Sequence, residues 1–137
     1  MTAKAGLKQL ENWHRLRQIR LQNTAMIEES FSKAGLPLWP KQNQATITML
    51  RYPLLTQKKW EIINLAGKQG LDIAGWYASP VHPLYGDDLA KVGYQEGICL
   101  NAENLINKLI HLPTGTSLNK RRLEAMMKII CKIILND

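Results

Sequence analysis

The chain of 137 residues and 15.6 kDa is long enough for one domain with a real core, able to bury about two thirds of its unfolded surface, and too short for two full-sized ones. Hydrophobic residues at 45% and charged residues at 21% exclude a disordered or collagen-like chain. Eighteen Lys and Arg against 11 Asp and Glu leave a net charge of +7, which brings a nucleic-acid partner into consideration without establishing one.

In chain order, Leu7, Leu10, Trp13, Leu16, Ile19, Met26, Ile27 and Phe31 recur at mostly three- and four-residue steps, which predicts one long amphipathic helix over 5–34. Gly35 is its natural stop, and Pro37 and Pro40 keep the following linker extended. Such a helix is about 45 Å long, overshoots so small a domain, and is expected to connect to something else. The β-branched and aromatic stretch 45–56, ATITMLRYPLLT, predicts a strand with Pro53 at an edge or bulge, and Thr56 can cap a helix over 57–70 that turns Trp60, Ile63 and Leu65 inward. A short strand at 71–75 follows.

Three aromatic residues, one histidine and two prolines make 76–85, WYASPVHPLY, a stiff, shaped loop. After a turn at Asp87 and Asp88, Asn101 can cap a helix running through Lys108, LIHLP reads as a third strand, and a last helix starts after Ser117 or Asn119. That helix would face Leu123, Met126, Met127, Ile130, Ile133 and Ile134 inward and Lys120, Arg121, Arg122, Lys128 and Lys132 outward. The order of elements predicts an α+β domain, a small and mostly antiparallel sheet covered by helices. The expected division is a connecting helix over 1–35 and a small domain over 36–137.

No phosphate-binding glycine loop, serine-hydrolase elbow or zinc-protease helix motif occurs. His14, His82 and His111 are isolated in sequence, so no metal site is expected. His14 reads as a solvated helix residue and His111 as a packed or edge histidine in its strand. His82 differs, because the proline-stiffened loop beside Trp76 and Tyr77 can hold an imidazole toward a ligand. Cys99 and Cys131 form no paired metal pattern, and with no signal-like N-terminus or membrane span they read as reduced thiols of a cytoplasmic protein. The charge excess sits at the ends, with six basic and three acidic residues in 1–35 and five and two in 118–137, as on solvated helix faces. No zinc-finger, aromatic ribonucleoprotein or helix-turn-helix pattern accompanies it, so a nucleic-acid partner is not the expectation.

The ordered segments LKQLENWHRLRQIRLQNTAMIEESF, LRYPLLT, QGLDIAGWYASPVHPL and GICLNAENLINKLIHLPTGTSL resemble the C-terminal part of the DegT/DnrJ/StrS family of sugar aminotransferases. The resemblance covers nearly the whole chain. It implies the C-terminal domain of the aspartate-aminotransferase-like fold, in enzymes that use pyridoxal phosphate to move an amino group, usually from glutamate, onto a nucleotide-linked keto-sugar. In that family the Schiff-base lysine and most cofactor contacts belong to a large N-terminal domain, which has no counterpart among these residues. None of the 12 lysines lies in a segment resembling the cofactor-lysine motif. The chain alone is therefore expected to hold no pyridoxal phosphate, to carry no catalytic residue and to be inactive, whether as a gene fragment, a split subunit or a disabled paralogue.

The resemblance carries over Trp76, Tyr77 and His82 as substrate-binding residues, because they match a loop that faces the cleft in relatives. Glu103 and Pro113 also match and read as structural, while Gly115 stands where many relatives have histidine. The expected partner is a large-domain chain, or a second copy through the first helix. The alternative function is a stand-alone basic interaction module without catalysis, for which nucleic acid would be the ligand.

Overall fold

The computed structural model describes residues 2–40 and 47–135. It divides into two compact units, Met1–Tyr52 with Pro113–Glu124, and Pro53–Leu112 with Ala125–Asp137. The elements are α1 (Thr2–Glu11), α2 (Trp13–Lys33), β1 (Arg51–Leu55), α3 (Lys59–Lys68), α4 (Asp87–Lys91), α5 (Leu100–Ile106), β2 (Leu109–Pro113) and α6 (Lys120–Ile134). This is the expected α+β arrangement, with a two-stranded antiparallel sheet.

In the first unit the long helix is interrupted at Asn12, which keeps a right-handed backbone (φ −87°, ψ −4°) and donates its side-chain amide to Lys8 O at 3.0 Å. Asn12 thereby bonds back to the preceding turn instead of continuing a regular helical surface. Leu7, Leu10 and Trp13 near the break are exposed, Leu16 and Ile19 are half-buried, and full burial begins at Asn23 and continues through Ile27 to Phe31, at four-residue steps. Gly35, at φ +69°, ends α2 in the left-handed conformation that glycine adopts without a Cβ clash. Leu36 N then reaches back to Phe31 O at 2.9 Å, and both side chains are buried, which closes the helix with an apolar contact as well as a hydrogen bond. Phe31 meets Tyr52 edge-on, with centroids 5.4 Å apart, and the Tyr52 hydroxyl accepts from Trp39 N at 3.1 Å. Burial pushes the Tyr52 hydroxyl pKa above its ordinary value of 10.0.

In the second unit Thr56 N donates to Lys108 O at 2.9 Å, a register that sets Leu54 opposite Ile110 and Pro53 opposite His111. Leu54 and Ile110 are buried while Pro53 and His111 are half-buried, the alternation of a sheet with one core face. Of the stretch 45–56, only Arg51–Leu55 is strand, and residues 45 and 46 lie outside the described residues. The expected strand at 71–75 is reduced to one antiparallel bridge, Ala74 with His111.

Thr56 does not cap α3, whose N-cap is Lys58; its hydroxyl accepts from Lys58 N at 3.0 Å in the turn before the helix, and the inward face is Lys59, Ile62 and Ala66. Trp60 is 59% exposed, and Ile63 and Leu65 are only half-buried. The helix is thus rotated from the expected setting by about one residue. The lysine goes inside because its methylene stem is apolar and its ammonium, carried to the end of α5, donates to Ile106 O at 2.5 Å. The adjacent Gly75 makes room for it, since a Cβ there would run into Ile63 Cδ1 and come within 2.8 Å of Lys59 Cε.

Asp87 and Asp88 open the short α4, where acidic side chains suit the positive end of the helix. α5 begins two residues earlier than expected and ends at Ile106 and not Lys108, with Cys99 and not Asn101 at its N-cap. Asn119 caps α6 by accepting from Arg122 N at 2.9 Å. The α6 stripe buries Leu123, Met126, Ile129, Ile130 and Ile133, with Met127 and Ile134 half-buried and all five expected basic residues exposed.

Candidate functional site

The loop that carries Trp76, Tyr77 and His82 is built outward from β2. Main-chain hydrogen bonds run both ways between Ala74 and His111, at 3.0 and 2.8 Å, and fix the chain two residues before Trp76. Tyr77 then takes φ +66°, the only non-glycine positive φ among the described residues. That backbone costs about 1–2 kcal/mol for an L-residue, and it persists only where surrounding contacts over-determine it. Ser79 supplies one such constraint, because its buried hydroxyl donates to Leu84 O and accepts from Val81 N at 3.2 Å. Leu84 N also bonds Val81 O at 2.9 Å, and the His82–Pro83 peptide bond is cis.

The three residues expected from the sequence come together in part. Tyr77 and His82 meet edge-to-face, with ring centroids 5.7 Å apart. Trp76 lies 6.5 Å from His111, to which Tyr77 is also close at 6.0 Å. Trp76 and Tyr77 are 52% and 47% exposed, and His82 is exposed as well. Two large rings, each about half exposed, and an exposed imidazole on a braced turn offer ring surface, a phenolic hydroxyl and ring nitrogens to a ligand. His111 was not among the expected site residues. The signal for it lies in the alternation of LIHLP, which turns His111 away from the face of Ile110 and Leu112. His14 is a solvated helix residue, as expected.

The other family-matching positions have structural partners. Glu103 accepts from the Tyr94 hydroxyl at 2.5 Å and from Gly97 N at 2.8 Å, closing the turn that leads into α5. The hydrogen bond from Tyr94 lowers the Glu103 carboxyl pKa, while burial and that same bond push the Tyr94 hydroxyl up to about 12. Pro113 is buried at the end of β2. The next residue, Thr114, is fully buried; its hydroxyl lies 2.7 and 2.8 Å from Met49 O and Leu50 O and accepts from Arg20 at 3.1 Å. Arg20 also donates to Leu50 O at 2.8 Å, and the buried Asn23 amide donates to Thr114 O and Gly115 O, both at 2.9 Å. The Leu-Pro-Thr turn is therefore a buried polar joint, with Gly115 contributing a carbonyl to it.

The lysines of the described residues differ in burial. Lys59 is the one buried lysine among them, and its amine, pulled below its ordinary pKa of 10.5 by burial, is committed to Ile106 O and lies 4.9 Å from the Trp60 ring centroid. The other described lysines are exposed or half-buried. No group of three or more His, Cys, Asp and Glu among the described residues is placed to hold a metal ion, and no helix among them is long and apolar enough to cross a membrane.

Solved structures share this fold, and two of them are described by name. One is a protein named as a sugar aminotransferase from Streptococcus pneumoniae, in its PMP form, with a TM-score of 0.75 and 19% identity over 96% of this chain. The other is a DegT/DnrJ/EryC1/StrS aminotransferase from Brucella abortus, with a TM-score of 0.72 and 15% identity over 93% of this chain. The match spans 34% and 33% of those proteins, about a third of each. A search of curated proteins found no match. The family model for the DegT/DnrJ/EryC1/StrS aminotransferases matches residues 1–131, and the chain belongs to that family.

Proposed function

We propose that this chain is the small domain of a pyridoxal-phosphate aminotransferase acting on nucleotide-linked keto-sugars, and that Trp76, Tyr77 and His82 face the substrate there. The observation that carries this reading is the Trp76–His82 loop, which sits within the family match and displays its rings on a frame held by Ser79 and the Ala74 bridge. When bound, the cofactor supplies the electron sink for amino transfer. The residues of this chain contribute ring faces that orient a sugar or base and an imidazole that hydrogen-bonds to it.

Alone the chain is inactive, because the Schiff-base lysine belongs to a large domain. Leu7 and Leu10, 62% and 67% exposed, together with Trp13 offer an apolar surface on which a large-domain chain, or a second copy, docks. The free thiols Cys99 and Cys131 suit a reducing cytoplasm.

The test is to mix the chain with pyridoxal phosphate, alone and with a large-domain protein of this family, and to record the aldimine absorption band and amino transfer to a keto-sugar nucleotide. A band and turnover only in the mixture are expected, with about a tenfold or greater loss of kcat/KM for Trp76→Ala or His82→Ala. A band from the chain alone, or turnover indifferent to both substitutions, overturns the proposal.

A further inference from the structure

We infer that His111 on β2 is the positioning residue of the Trp76–Tyr77–His82 loop, holding it through its main chain and its ring together. The inference rests on the reading of that loop as substrate-facing. Three observations converge on His111. Its N–H and C=O both bond Ala74, so β2 anchors the strand-like residue from which the loop departs. Its ring stands edge-on to Tyr77, with centroids 6.0 Å apart and planes at 69°. The same ring lies 6.5 Å from Trp76, tilted by 49°.

Tyr77 is thus flanked by two imidazoles, His111 from the sheet and His82 from the far side of its own loop, at 6.0 and 5.7 Å. An edge-to-face contact fixes a ring in direction as well as distance, because the ring edge is positive and the face negative. Tyr77 needs this directional hold, since its left-handed backbone at φ +66° is not what the residue adopts by itself. The register completes the argument. Ala74 and His111 are a directly opposed pair, so their side chains share one face of the sheet, and the Trp76 ring lies beside His111 there. Gly75, between Ala74 and Trp76, turns to the core face where Lys59 and Ile63 leave no space for a side chain. A single strand residue therefore sets where both aromatic rings stand, from 34 and 35 positions away in the chain.

The experiment is aromatic proton–carbon NMR on the full 137-residue chain without any ligand. In the unsubstituted chain a nuclear Overhauser contact between the His111 and Tyr77 ring protons is expected, and its absence overturns the inference with no substitution needed. His111→Leu keeps the main-chain bridge and most of the volume but removes the ring. It is expected to shift the Trp76, Tyr77 and His82 ring signals toward solvated positions while the Ala74 amide stays protected from exchange. His111→Phe restores a ring and is expected to return Tyr77 most of the way. Unchanged Tyr77 and His82 signals in a folded His111→Leu chain overturn the inference. In the enzyme completed by a large domain, His111→Leu should raise KM severalfold with kcat little changed. Turnover indifferent to Trp76 and His82 beside a positive NMR result defeats the substrate reading and leaves the positioning role standing. Turnover sensitive to them, with rings indifferent to His111, does the reverse.

Discussion

The Leu-Pro-Thr turn and the Trp76–His82 loop treat their polar groups in opposite ways. Around Thr114 the hydroxyl, the Asn23 amide and the Arg20 guanidinium are engaged by main-chain carbonyls, and Thr114 and Asn23 are buried. In the loop Ser79 is spent in this manner, while Trp76, Tyr77 and His82 are exposed. Buried and saturated hydrogen bonds specify a conformation; exposed rings on a constrained backbone are available for something else. The contrast is between residues that hold the fold and residues that the fold holds out.

Substitution at the joint should therefore cost the most stability. Asn23→Leu leaves Thr114 O and Gly115 O without their donor, and Thr114→Val removes a buried hydroxyl from three partners. Each should destabilise the chain by about 1–3 kcal/mol in urea denaturation. A change under about 0.5 kcal/mol at both positions would erase the distinction drawn above.

Lys59 extends the comparison to a charged group. Burial lowers its pKa from 10.5, so between the lowered folded value and 10.5 the unfolded chain binds more protons than the folded one, and stability rises with pH across that window. The burial penalty on the ammonium is fully present below the folded pKa and is relieved above it. Lys59→Met should abolish the rise, read as denaturation midpoints across the alkaline range. A rise that survives the substitution assigns it to another group.

Much of this was legible along the chain, because caps and stripes are local. Gly35 announced the end of α2, the pair Ser117 and Asn119 bracketed the start of α6, and the apolar spacing pointed to Leu123, Met126, Ile130 and Ile133. α3 was misread because a binary polar pattern sends tryptophan in and lysine out. Here the Lys59 stem fills the core, its charge finds Ile106 O, and Trp60 is left outside. The loop was legible as a stiff element with His82 in it, from its prolines and aromatics. The contact of His111 with Tyr77 was not, since it is made by strand pairing across more than thirty residues, and one strand sequence does not name its neighbour.

The Tyr94–Glu103 pair tests whether a partly open brace behaves like the joint. The Tyr94 hydroxyl, pushed up to about 12, should be a late-ionising tyrosine in an ultraviolet absorbance titration. Glu103→Gln removes the carboxylate that opposes the phenolate, so the pKa should fall toward 10.0 without reaching it, because burial is the larger cause and remains. No change on substitution would mean that the carboxylate does not govern the hydroxyl.

The smallest effect on stability should come from the residues most exposed for use. Trp76→Ala removes a ring already 52% exposed, while the main-chain bridge at Ala74, two residues before it, stays in place. The expected loss is about 0.5–1 kcal/mol, at the low end of what removing a large aromatic costs. Tyr77→Gly sets the loss of an aromatic contact on each side against relief of a left-handed backbone that costs about 1–2 kcal/mol, so the two should nearly cancel in a denaturation curve. If either substitution destabilises as much as Asn23→Leu, the rings are part of the core and not a surface kept open. If both are nearly silent in stability and severe in turnover of the completed enzyme, the strain at Tyr77 is maintained for the ligand, because nothing in the stability of the chain requires it.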